Sequence, residues 1–220
     1  YKDLEGVPSK YKSKVYEVGN IIRQEIIDSK FSEINNDKFE KIKILVLGGS
    51  QAAKIFAEEL PQIFRKLKNS QISIKVFQQC LKDQSEKLKE FYKKSDIDHE
   101  IFNFSNNIIE YYSKTNLVIT RSGASVLGEL INIKIPFISI PLPSSAENHQ
   151  YKNAEFYKKK GYGYLLKEEE INNKLYDLIS SIFEDKAKIR KILSYQEQYS
   201  DKDIFKNLEF QIEKIINEKN

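Results

Sequence analysis

The chain has 220 residues, of which 40% are hydrophobic, including 13 Phe and 13 Tyr, enough apolar surface for a substantial core. Its net charge of +4 is modest and spread along the chain, which argues against a nucleic-acid binder with a concentrated basic stripe. A single Cys80 excludes a disulfide within the chain and fits a reducing, cytoplasmic setting, and no apolar run approaches the roughly 18 residues of a membrane span or forms a signal-peptide pattern.

The chain contains no methionine and opens on Tyr1 among polar residues, so it reads as a fragment whose N-terminal portion is absent. Residues 1–14 are polar and read as a loop, Val15 to Ile22 look extended through Gly19-Asn20 to Arg23, and the charged, aperiodic stretch 28–41 reads as a linker. From Ile42 a regular alternation begins. Strand-like runs fall at 42–47, 72–77, 99–104, 116–120, 136–142 and 162–166. Helical patterns fall near 51–68, 81–94, 106–114, 123–133 and 148–160, and two or three further helices fill 168–217. Several strands are continuous apolar runs, as expected where both faces are buried, so the fold class is α/β: a doubly wound, Rossmann-like parallel sheet. Ligands in such sheets bind at the carboxyl ends of the strands. The expected division is 1–27 as the end of a preceding domain with its interdomain segment, 28–41 as linker, 42–200 as a nucleotide-sugar domain, and 201–220 as a C-terminal helix packing back toward the absent portion.

Residues 117–154 are the most informative stretch: an apolar strand, a small-residue turn opening a helix with Glu129 inside it, and a second strand ending in a proline-bounded loop before Asn148-His149-Gln150. A glycine turn at a helix N-terminus is a natural diphosphate seat, because unpaired N–H groups and the helix dipole converge there. A carboxylate about two turns further on can accept from two ribose hydroxyls. The bland alternative for Glu129 is a solvated helix residue, but Val126, Leu127, Leu130 and Ile131 make this helix mostly apolar, and a buried carboxylate needs a partner. The polar Asn148-His149-Gln150 cluster and Asn153 suit a sugar; alternatively Asn148 or Glu147 merely caps the helix.

Gly48-Gly49-Ser50-Gln51 forms another strand-to-helix turn, either a second phosphate contact or a plain turn with a Ser cap. It is neither a dinucleotide nor a P-loop motif. Asp96-Ile97-Asp98 looks like the metal-binding DxD of many glycosyltransferases, but it precedes a strand rather than ending one and reads as a solvated turn. Lys158-Lys159-Lys160 reads as a solvated helix end before Gly161, and two histidines, His99 and His149, make a histidine metal cluster improbable.

GGSQAA at 48–53, TRSGASVLGE at 120–129 and IPLPSSAENHQYKNA at 140–154, in this order and spacing, resemble the MurG family of UDP-N-acetylglucosamine transferases that complete the lipid-linked peptidoglycan precursor. The resemblance runs from Gly19-Asn20 to near the C-terminus and implies the C-terminal, donor-binding half of a GT-B enzyme. It implies that Glu129 holds the ribose hydroxyls, that Ser50, Gln51 and the turn Ser122-Gly123-Ala124 face the diphosphate with Arg23 near it, that His149, Gln150 and Asn153 meet the GlcNAc, and that the backbone at Phe104-Ser105 pairs with the uracil edge. The chain departs from the family pattern at Ile21, where Pro is usual, at Ala52, where Gly is usual, and at Gln78-Gln79, where His-Gln is usual.

The activity so implied is an inverting transfer of GlcNAc from UDP-GlcNAc to lipid-linked muramoyl-pentapeptide, lipid I to lipid II, with no metal and no cofactor, peripheral on the inner face of the cell membrane. Acceptor, general base and most membrane contact would belong to the absent half, so the fragment alone is expected to be inactive. The rival expectations are a donor-binding half that works with a separate partner chain, and a UDP-GlcNAc 2-epimerase, for which the acid/base residues are not evident.

Overall fold

The computed structural model describes residues 7–16, 18–29, 41–49 and 54–217. Six strands, β1 (Ile42–Leu47), β2 (Ile74–Gln79), β3 (Asp98–Phe102), β4 (Leu117–Thr120), β5 (Phe137–Ser139) and β6 (Tyr164–Leu165), form one sheet in the order β3-β2-β1-β4-β5-β6. Every neighbouring pair is parallel, for example Ile44 opposite Val76 on one side and Leu117 on the other. This is the doubly wound arrangement expected from alternating strands and helices.

The period-two alternation of the strands assigns side chains to two cores. Ile44, Val46, Leu117 and Ile119 enter one apolar cluster with residues of α2 (Lys54–Asn69), α3 (Ser85–Lys94), α7 (Ile171–Glu184) and α8 (Lys186–Glu197). Leu45, Leu47 and Val118 enter the other, with Ile26 of α1 (Gln24–Asp28), Tyr112 of α4 (Ile108–Ser113), Leu127, Leu130 and Ile131 of α5 (Ala124–Asn132), and Tyr157 of α6 (His149–Lys159). The second cluster carries the candidate site. The chain ends in α9 (Ile204–Asn217), of whose apolar residues only Ile204 is buried.

Most expected elements fall within two or three residues of their places. The strand expected over 136–142 shortens to Phe137–Ser139, because Pro136 and Pro141 have no N–H to give the ladder. Val15–Ile22 contains no strand among its described residues; it runs as irregular chain, and three-ten turns occupy Ser9–Lys14 where a loop was expected. The linker expected at 28–41 lies mostly outside the described residues. Asn20 anchors the irregular stretch: its backbone N–H reaches Asp201 Oδ1 at 3.2 Å, and its side-chain amide reaches Tyr199 Oη at 2.7 Å and Asp201 Oδ2 at 3.3 Å.

Candidate nucleotide-sugar site

Chain connections leave β1 toward β2 and β3 but leave β4 toward β5 and β6, so the loops after these two adjacent strands diverge and open a crevice at the carboxyl edge. On one side of it Gly48 is buried and donates its N–H to Gln79 Oε1 at 3.2 Å, and Gly49 turns the chain at φ +79°, a conformation open to glycine. Ser50 and Gln51, expected at the diphosphate, and Ala52 lie outside the described residues. On the other side the turn Arg121-Ser122-Gly123 feeds α5. Gly123 is the N-cap and has no side chain to offer, so the N–H groups of the first turn, Ala124 included, stay available to an anion. Ser122 is fully buried, and its Oγ has no hydrogen-bond partner among the described residues.

Glu129 sits about 7 Å along α5 from its start, at a rise of about 1.5 Å per residue. It is 7% exposed, which settles against a solvated helix residue. A buried carboxylate must be paired, and three donors meet it. Arg23 Nε reaches Oε1 at 2.8 Å, Arg23 Nη2 reaches Oε2 at 2.9 Å, and the Tyr112 hydroxyl donates to Oε2 at 3.0 Å. The Arg23 fork is the planar, two-bond geometry that only a guanidinium supplies. That hydrogen bonding outweighs burial and holds the guanidinium above its usual pKa. Burial, then the charge of Glu129, pushes the Tyr112 phenol well above its ordinary value, so it is a permanent donor. The sequence placed Glu129 at a ribose and Arg23 at a diphosphate; the structure joins the two in one ion pair.

Of the expected sugar contacts, Gln150 and Asn153 reach the Ser122 turn and act in its architecture, and His149 does not. Gln150 Oε1 accepts from Ser122 N at 3.2 Å and Leu142 N at 3.0 Å, bracing the loops after β4 and β5 together. Asn153, buried, donates to the Ser122 carbonyl at 3.1 Å. His149 is exposed and its Nδ1 lies 2.8 Å from the Ala146 carbonyl. Neither Glu147 nor Asn148 caps α6 through its side chain; both instead adopt left-handed backbone, at φ 49° and 56°, a conformation that costs a non-glycine residue on the order of 1 kcal/mol. Phe104 projects from the loop after β3 at 77% exposure, and Ser105 Oγ accepts the Asn107 N–H at 3.1 Å.

Sequence reasoning missed Tyr112, whose helix is short and whose hydroxyl partner lies 17 positions away. It also missed Arg121, buried between the Ile140 and Pro141 carbonyls at 3.3 Å, paired with Glu168 and stacked on Phe56, where it fixes the turn into α5. Gln78, a departure from the family pattern, is fully buried and bonds to the Phe56 carbonyl and the Tyr92 hydroxyl, so it supports the core rather than the crevice.

A 3-2-1-4-5-6 parallel sheet, two glycine turns at its switch point and a paired carboxylate inside the following helix define a Rossmann-like α/β domain of the GT-B class. The glycosyltransferase family 28 C-terminal domain matches residues 43–215, and the chain belongs to that family. Two relatives bear the name UDP-N-acetylglucosamine–N-acetylmuramyl-(pentapeptide) pyrophosphoryl-undecaprenol N-acetylglucosamine transferase. That of Rickettsia bellii is 37% identical over 190 residues, covering 82% of this chain and 53% of the relative. That of Pelagibacter ubique is 31% identical over 217 residues, covering 98% and 60%. The chain thus spans between half and two thirds of these relatives' length. The fold is shared with crystalline Acinetobacter baumannii MurG, at a TM-score of 0.69 and 21% identity over 80% of this chain and 50% of that one. It is shared too with S. aureus MnaA in a co-structure with UDP, at 0.65 and 16%, over 95% and 56%.

Proposed function

We propose that this chain is the donor-binding part of a MurG-type transferase, moving GlcNAc from UDP-GlcNAc to a lipid-linked muramoyl-pentapeptide. The observation that carries the reading is Glu129: a carboxylate, buried and held by three donors, beside an uncapped helix N-terminus at the sheet's switch point. The ribose docks on Glu129. The diphosphate sits over the first turn of α5 and the turn at Gly48-Gly49, with Ser50 as a contact and Arg23 within reach. The sugar lies toward His149, Gln150 and Asn153, and the uracil toward Phe104 and Ser105. The acceptor hydroxyl attacks the anomeric carbon from the face opposite UDP, with inversion, through an oxocarbenium-like state and with general-base help from the remainder of the protein. As UDP leaves, its growing charge is met by oriented N–H groups and Arg23, with no metal required.

Residues 42–200 form the donor domain in this reading, and 201–220 turn toward the acceptor-binding remainder. The exposed Phe205, Ile212 and Ile216 of α9 support that direction, since an amphipathic helix needs a surface to cover them. Among the described residues no helix is long and apolar enough to cross a membrane, and the reading places membrane contact mainly in the remainder of the protein.

Calorimetric titration with UDP-GlcNAc in the presence of EDTA tests the proposal. Saturable binding by the wild-type chain, lost in Glu129→Ala, is the expected result. Binding that survives the substitution, or that requires a divalent ion, would count against it, and epimerisation of UDP-GlcNAc by the chain alone would replace it with the epimerase reading.

A further inference from the structure

An ionised carboxylate offers about four lone-pair sites, two on each oxygen. Three of those on Glu129 are taken: one on Oε1 by Arg23 Nε, and both on Oε2 by Arg23 Nη2 and the Tyr112 hydroxyl. One site remains, on Oε1. Two ribose hydroxyls that both donate need two sites, so one present donor must give way.

The two donors are anchored very differently. Arg23 follows the irregular stretch through Gly19-Asn20, and its side chain is 44% exposed, so the guanidinium can be rehydrated or passed to a phosphate. Tyr112 is 2% exposed on α4, packed in the cluster with Phe77, Leu127, Leu130 and Ile131. Withdrawing its hydroxyl would bury an unpaired donor. Arg23 is therefore the donor that yields, and its released N–H groups become available to the diphosphate, which is how one ion pair serves both ends of a nucleotide. Once it has moved, Tyr112 is the fixed donor left on Oε2, and it sets the plane in which the carboxylate receives the ribose.

We infer that Tyr112 is a positioning residue for ribose recognition, holding Glu129 so that the site distinguishes a ribonucleotide from its 2′-deoxy counterpart. This rests on the donor-site reading above. A simple structural role for Tyr112 would weaken both nucleotides alike, whereas a positioning role acts only on the hydroxyl contacts.

The test compares UDP with 2′-deoxy-UDP by calorimetry on the wild-type chain, Tyr112→Phe and Glu129→Gln. The wild type is expected to prefer UDP by about ten- to a hundredfold, one charged hydrogen bond being worth about 1.5–3 kcal/mol. Tyr112→Phe is expected to lower UDP affinity about three- to tenfold and leave 2′-deoxy-UDP within about twofold, so that the preference shrinks. Glu129→Gln should remove most of it. If Tyr112→Phe keeps the full preference, or weakens both nucleotides equally, the inference is overturned while the Glu129 reading survives. If Glu129→Gln keeps the preference, or the wild-type chain binds no UDP, both fall. A second variant guards against misfolding: 3-fluorotyrosine at position 112 keeps the hydroxyl and makes it a stronger donor. It should widen the preference for UDP, and an unchanged ratio would overturn the inference.

Discussion

Glu129 and the pair Asp96 and Asp98 are acidic residues met by cations at opposite ends of the same fold. Glu129 lies in the helix that springs from the carboxyl edge of the sheet, 7% exposed and held by a two-bonded guanidinium and a buried phenol. Asp96 and Asp98 lie at the amino edge, where Lys68 reaches Asp96 at 2.8 Å and Lys41 and Lys75 reach Asp98 at 2.8 and 3.4 Å. A cleft of about 480 Å³ opens there, lined by Lys41, Lys68, Asp96, Asp98 and His99. Both ends therefore offer charge. Only the carboxyl edge adds helix N-termini, a topological switch and a desolvated carboxylate, the features that convert charge into recognition. At the amino edge each carboxylate is open to water, and an exposed ion pair is worth little.

Removing each carboxylate in turn sharpens that contrast. Glu129→Ala is expected to have the largest effect: loss of donor-nucleotide affinity on the order of 10²-fold, from about 2–4 kcal/mol of charged hydrogen bonding. It also leaves the Tyr112 hydroxyl buried without its partner, a further cost of about 1–3 kcal/mol in stability, measurable by denaturant titration. Arg23→Lys comes next. A lysine offers one point charge to a carboxylate built for a fork, so about 1–2 kcal/mol of coupling to Glu129 should disappear, read by a double-mutant cycle with Glu129→Gln.

The sequence carried the fold and the burial of Glu129 more fully than the geometry around that residue. Strands such as IKILVL and LVIT are continuous apolar runs bounded by turns, so their number, order and type could be read from pattern alone. Glu129 was readable because a carboxylate among Val126, Leu127, Leu130 and Ile131 violates the pattern of its own helix. Its partners were not, because Arg23 and Tyr112 are brought to it by tertiary packing across 106 and 17 positions, which no local period records. Gln150 and Asn153 stood out as a polar cluster, but their contacts with the Ser122 turn depend on how two loops meet. Of the amino-edge DxD, Asp96 lies in the expected turn, with the positive φ, 51°, of a tight turn, whereas Asp98 is already the first residue of β3.

Gly128 offers a subtler way to disturb the carboxyl edge. A Cβ there would stand 3.0 Å from Asn20 Cβ and 3.2 Å from Ile22 Cγ2, so the segment leading to Arg23 would have to retreat by a few tenths of an ångström. Asn20 is tied to Asp201 and Tyr199 and cannot retreat freely. Crowding costs about 1–3 kcal/mol, while alanine's better helix propensity returns about 1 kcal/mol. Gly128→Ala is therefore expected to lose about 1 kcal/mol in stability yet weaken UDP several-fold, because the displaced segment carries Arg23 away from the diphosphate it would meet. Unchanged affinity would mean that the segment's position does not matter to the site.

The smallest effect is expected at Asp98, and its pH dependence separates a surface pair from a functional one. The Lys41 hydrogen bond, opposed by burial and aided by the charges of Lys41 and Lys75, holds its carboxyl below the usual aspartate value. A folded pKa lower than the unfolded one contributes stability that is complete above the unfolded value, about 3.9, and is lost only as the pH falls through the lower folded value. With a side chain 46% exposed, that contribution shrinks by solvent screening to a few tenths of a kcal/mol. Asp98→Asn should thus match the wild type within about 0.5 kcal/mol at neutral pH, converge on it as the pH falls through the lowered folded value, and leave UDP affinity untouched. Denaturant titrations of the two proteins at neutral and acid pH, with UDP binding measured alongside, provide the check. A neutral-pH loss above about 1 kcal/mol, or any loss of UDP affinity, would give the amino edge a weight that its exposed ion pairs do not explain.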